Sequence, residues 1–139
     1  VSATLGRVLI VEDEVMIALM LESLLLELGY EVAGCAHRLD KAIEIARTYE
    51  IHIALLDLNL NGQSSLPVAD ILHDRGIPFV FATGYGRAGL KGKFPAAPVL
   101  TKPFKLENLA EALVHARTEQ AGPYPSIRPA DGAPAAAGA

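Results

Sequence analysis

Apolar and polar positions along this chain alternate between two periods. Arg7–Glu12 reads Arg-Val-Leu-Ile-Val-Glu, a short β-branched run that ends in acids and predicts a buried strand. Ile17, Leu21, Leu24 and Leu28 then recur at spacings of 4, 3 and 4, the stripe of a helix, and Gly29 stops it. Glu31–Cys35 reads as a second strand. Leu39, Ala42, Ile43 and Ala46 mark a second helix. Ile51–Leu56 is a third strand running into Asp57. The stretch 59–67 carries Asn-Gly and Ser-Ser and reads as a loop. Val68–Asp74 is helical, Ile77–Ala82 is a strand followed by Thr83 and Gly84, and Val99–Thr101 is a last strand before Lys102-Pro103. Leu106, Leu109, Ala110 and Leu113 give a final helix stripe. Between the last two strands, 84–98 holds four glycines and two prolines, so at most one short turn fits around Ala88–Lys91.

Strands alternating with helices through short connections predict an α/β fold with a parallel sheet covered on both faces. Strands that are apolar almost throughout agree, because parallel strands are buried on both sides. The composition shifts at Ala121. From there to Ala139, 14 of 19 residues are Ala, Pro or Gly, which predicts a disordered tail over 121–139 behind one folded unit, 5–120.

The chain has 139 residues, 12 Lys and Arg against 16 Asp and Glu, and a net charge of −4. A mildly acidic chain with no basic run is a poor candidate for binding nucleic acid. No apolar stretch approaches the length of a membrane span. The apolar run Ile17–Leu26 follows acids rather than a basic segment, so no secretory signal is read and a cytoplasmic location is expected. A single cysteine, Cys35, excludes an internal disulfide and a cysteine-based zinc cage. Cys35 reads as a small core residue. His37, His52, His73 and His115 are scattered, outside any metal-ligand spacing, and read as structural or surface residues. Met16 and Met20 are assigned to the buried stripe of the first helix rather than to a partner face.

Four of the five strands end at polar residues: Glu12 and Asp13, then Asp57, Thr83 and Lys102. Open α/β sheets place ligands outside the carboxyl ends of their strands, so these residues should meet on one rim. Three carboxylates there repel one another unless a cation sits among them. All their donor atoms are oxygens, which suits Mg²⁺. With the ammonium of Lys102 and the hydroxyl of Thr83, the set matches what a phosphoryl group on Asp57 would need.

With Pro103 and Phe104 after Lys102, and the strand ends in this order, the chain resembles the receiver domain of two-component response regulators over about residues 7–118. Pro78–Tyr85, Pro-Phe-Val-Phe-Ala-Thr-Gly-Tyr, further resembles the FAT GUY subgroup, mostly single-domain receivers of alphaproteobacteria. The resemblance implies a flavodoxin-like (βα)5 fold with strand order 2-1-3-4-5 and here a shortened or absent fourth helix. It implies Asp57 as phosphoacceptor, and Mg²⁺ held by Glu12, Asp13, Asp57 and the backbone carbonyl of Asn59. It also implies Thr83 and Lys102 at the phosphoryl group, a cis peptide at Lys102-Pro103, and a sensor histidine kinase as donor. Val99 stands where many receivers carry a switching aromatic, which leaves Tyr85 as the substitute candidate.

The expected function is a stand-alone receiver that signals by phosphorylation-dependent binding to a regulatory or phosphotransfer protein, or that drains phosphate from a kinase. Phosphorylation is expected to order 84–98. It is not expected to be an enzyme beyond self-catalysed phosphotransfer and autodephosphorylation. The alternative is a metal-dependent aspartyl-phosphate hydrolase, disfavoured because Asn59 stands where such enzymes need an acid. A nucleotide- or flavin-binding module ranks last, because Glu12-Asp13-Glu14 occupies the first loop and no P-loop is present.

Overall fold

The structure is a computed structural model that describes residues 4–84 and 86–120. The expectation of a disordered tail and the candidate Tyr85 both lie outside the described residues.

The elements run β1 (Arg7–Val11), α1 (Val15–Leu28), β2 (Glu31–Ala36), α2 (Leu39–Thr48) and β3 (Ile53–Asp57). A two-stranded hairpin follows, β4 (Asn59–Leu60) and β5 (Gln63–Ser64), then α3 (Leu66–Asp74) and β6 (Phe79–Thr83). A single 3-10 turn, Ala88–Leu90, precedes β7 (Val99–Thr101) and α4 (Leu106–Glu119). The main sheet is parallel in the order β2-β1-β3-β6-β7. Counted along the chain without the hairpin, that is the expected 2-1-3-4-5.

Side chains of a strand alternate between faces, and the two layers of the core follow from this. Leu9 and Val11 of β1 join Leu56 of β3 and Phe79 and Phe81 of β6 beneath α2 and α3. Val8, Ile10, Leu55 and Val80 join Leu21 and Leu25 of α1 and Leu109 and Leu113 of α4 on the other face. Gly29 closes α1 in the left-handed conformation, φ 100°, and its N–H caps the last turn.

Two expectations need correction. Residues 59–67 are not a plain loop. Asn61 (φ 51°) and Gly62 (φ 88°) form the tip of the hairpin, where two successive positive φ angles match the twist of the strands. Met16 and Met20 lie outside the core, with 78% and 50% of their surfaces exposed. They share an outward apolar face of α1 with Leu19 and Leu26, because this helix carries apolar residues round most of its circumference. The segment 86–98 packs onto the core. Leu90 and Ala97 are buried, and the ring of Phe94 sits edge-on to Phe79 with centroids 5.1 Å apart. The Arg87 guanidinium fastens the segment by donating to the carbonyls of Ala97 (2.8 Å) and Phe94 (2.9 Å). A side chain thus satisfies carbonyls that a helix would have satisfied internally.

Candidate phosphoacceptor and metal site

Register brings the predicted residues together. Val11 lies opposite Leu56, Asp57 opposite Ala82, and Thr83 opposite Thr101. Glu12, Asp57, Thr83 and Lys102 therefore stand at or just past the carboxyl ends of four adjacent strands. Glu12 is 1% exposed, Thr83 5% and Asp57 8%. Asp57 closes a strand buried along its whole length.

Lys102 is the central cation. Its ammonium donates to Glu12 Oε1 at 2.9 Å and to Asp57 Oδ2 at 3.3 Å. Its backbone N–H donates to the carbonyl of Thr83 at 2.8 Å, which ties the end of β7 to the end of β6. The Lys102-Pro103 peptide is cis, as expected. Glu12 Oε2 accepts the N–H of Glu14 at 3.2 Å, and Asp57 Oδ1 that of Asn59 at 3.3 Å. Asp13 Oδ2 accepts the N–H of Asn61 at 3.0 Å, so the hairpin tip reaches back onto the acidic loop.

The electrostatics record a shortage of positive charge. Burial pushes Glu12 up to about 7 despite the hydrogen bond from Lys102. Burial likewise raises Asp57, again outweighing Lys102. Burial also works against Asp13, but hydrogen bonds from Glu12 and from the Asn61 N–H hold it below the usual carboxylate range. Burial alone would lower Lys102, yet its two carboxylate partners raise it. Oxygens of Glu12, Asp13 and Asp57 lie within 4.8 Å of one another. Ionised, three carboxylates facing one ammonium leave two negative charges, and every donor is an oxygen. That set fits a divalent, oxygen-seeking cation such as Mg²⁺.

Sequence reasoning missed two residues at this site. Asn61 read as an ordinary turn, although Asn-Gly is the strongest short-range hairpin signal; that its amide lands on Asp13 follows only from the fold. His37 read as scattered, yet its Nδ1 lies 2.9 Å from the Glu12 carbonyl. No periodicity signals such a bond. Asn59 presents its amide to Asp57, and its side-chain Oδ1 accepts the Gly62 N–H at 2.7 Å.

The comparisons with known proteins agree with this geometry. The response regulator receiver domain family matches residues 8–114. The phyllosphere-induced regulator PhyR of Methylorubrum extorquens is 35% identical over 114 residues, covering 79% of this chain and 43% of the relative. The chain spans about half the length of the curated relatives it matches. The solution structure of SdrG from Sphingomonas melonis Fr1 superposes with a TM-score of 0.72 at 40% identity, over 83% of this chain and 98% of that one. The receiver domain of Erythrobacter litoralis PhyR gives a TM-score of 0.76 at 31% identity, over 87% of this chain and 96% of that one. Strand order, the rim of acids around Lys102 and a family match over residues 8–114 converge, and the chain belongs to the response regulator receiver domains.

Proposed function

We propose that this chain is a stand-alone receiver that takes a phosphoryl group from a sensor histidine kinase onto Asp57. The observation that carries the proposal is the meeting of Asp57, Glu12, Asp13 and Lys102 at one sheet edge. An oxygen of Asp57 forms the new O–P bond as the P–N bond to the donor histidine breaks. Lys102, already between Asp57 and Glu12, stays beside the oxygens that gain charge. Thr83, one residue beyond the partner of Asp57 in β6, supplies a hydroxyl from the adjacent strand end. Glu12, Asp13, Asp57 and the Asn59 carbonyl would hold Mg²⁺, which supplies charge neutralisation of the transferring group.

Pro78–Tyr85 supports placement in the FAT GUY subgroup, mostly single-domain receivers, and with it action without an attached effector. The output would then be binding to a regulatory or phosphotransfer protein, or drainage of phosphate from the kinase, with slow self-catalysed dephosphorylation. Among the described residues no helix is long and apolar enough to cross a membrane, and we place the protein in the cytoplasm on the basis of its kinase donor.

Incubation with Mg²⁺ and acetyl phosphate, read by intact mass, tests the reading. Wild type should gain a labile adduct of about 80 Da, one phosphoryl group. The adduct should be absent from Asp57→Asn and after chelation. Equal labelling of wild type and Asp57→Asn would remove Asp57 as the acceptor.

A further inference from the structure

We propose that His37 is a positioning residue for the Glu12-Asp13 pair, holding the end of β1 in the geometry that receives a divalent cation. The proposal deepens the metal reading above and rests on it.

The β1–β2 ladder stops at Glu12. The N–H of Glu12 donates to the carbonyl of Ala36 at 3.0 Å. In a parallel ladder that continued, the Glu12 carbonyl would next accept the main-chain N–H of residue 38. The chain instead bends at 37–38 and enters α2 at Leu39. The imidazole of His37 fills the vacated place, with Nδ1 2.9 Å from that carbonyl. A carbonyl only accepts, so Nδ1 carries the hydrogen in this pair.

Glu12 is therefore gripped through both of its main-chain polar groups, one by the backbone of β2 and one by the ring of His37. The next residue is Asp13, whose carboxylate is held by the Asn61 amide. The two acids that lead into α1 are thus tied to the end of β2 and to the hairpin tip. Only the His37 arm of that clamp is a side chain, and so only it is removable without rebuilding a turn. Loss of the donor strands a buried carbonyl and frees the peptide between the two acids. The cation would then pay the cost of ordering it.

The test is a Mg²⁺ titration of the full chain, followed by calorimetry and by the amide resonances of Asp13 and Asn61. It compares wild type, His37→Leu, His37→Asn, His37→Gln and Asp13→Asn. The asparagine Nδ2 occupies nearly the same place as imidazole Nδ1 and restores the donor, whereas the glutamine amide is displaced by one carbon. His37→Leu should bind Mg²⁺ roughly 10-fold more weakly, as expected for outer-shell partners of metal ligands, and His37→Asn should stay close to wild type. His37→Gln should resemble the leucine variant and replaces it should leucine fail to fold. Thermal unfolding without Mg²⁺ should differ little between the asparagine and glutamine variants. Wild-type affinity in both His37→Leu and His37→Gln overturns the proposal, as does a loss in His37→Asn as large as theirs, which would mean the ring acts by bulk. If wild type does not bind Mg²⁺, or Asp13→Asn binds equally well, the metal reading falls and this proposal with it.

Discussion

Gly89 lies so close to Leu58 that a Cβ on the glycine would come within 2.6 Å of Leu58 Cδ2. Leu58 directly follows Asp57, and Gly89 sits in the single 3-10 turn that stands where a fourth helix was in question. The residue after the proposed phosphoacceptor is thus packed against the segment that leads from Thr83 to β7. Leu58 is also anchored through its backbone, donating to the Ala82 carbonyl at 3.1 Å and accepting from Ser65 at 3.0 Å.

Gly89→Ala should therefore push the end of the Leu58 side chain out of its buried place. We expect a loss of about 1–2 kcal/mol in stability, in the range of mild overpacking. In a Leu58→Ala background the same change should cost almost nothing, because the obstructing methyl is gone. Urea denaturation of the four proteins in that cycle measures the coupling. Additive losses would show that the contact is not what excludes a side chain at 89.

Lys102→Ala should leave Glu12 and Asp57 facing each other without their ammonium, at a cost of about 1–3 kcal/mol near neutral pH. The sign of the pH dependence follows from the raised acid. Glu12 stands at about 7 in the fold against 4.5 for the free side chain. Its protonated form is thus favoured by folding, fully so below 4.5, and that contribution fades as pH rises through about 7. Without Lys102 the group rises further, so the variant should match wild type more closely in acid and fall behind as pH increases. Denaturation midpoints across that window decide it. Labelling of Asp57 should survive in the variant, while the amide shifts that accompany phosphorylation shrink.

His52 offers the opposite pH sense away from the site. Its Nδ1 accepts the N–H of Arg7 at 2.9 Å, and its Nε2 is buried with no hydrogen-bond partner among the described residues. Burial, opposed by the charge of Glu50, lowers the ring below its ordinary 6.5. Folding therefore favours the neutral ring. Its contribution is full above 6.5 and is lost as pH falls through the lower folded value. His52→Asn keeps an acceptor for Arg7 but does not titrate. It should lose less stability than wild type on acidification below 6.5, measured by urea unfolding on both sides of that pH.

The apolar β-branched runs and the helix stripes determined the order of elements and the parallel sheet, because burial on two faces leaves a strand no other pattern. The polar residues closing four of the five strands determined the site, because topology forces strand ends of one sheet onto one rim. Asp57, Glu12, Asp13, Thr83 and Lys102 were legible for that reason alone. Tertiary structure decided what local pattern does not encode. It set the outward apolar face of α1, since a helix apolar round most of its circumference does not say which side meets the sheet. It set the packing of 86–98, since Arg87 reaches carbonyls that composition counts only as lost to a helix. It also placed His37 on the Glu12 carbonyl and Asn61 on Asp13, at separations of 25 and 48 residues, where a side chain or a turn amide meets a polar group that only the fold brings near.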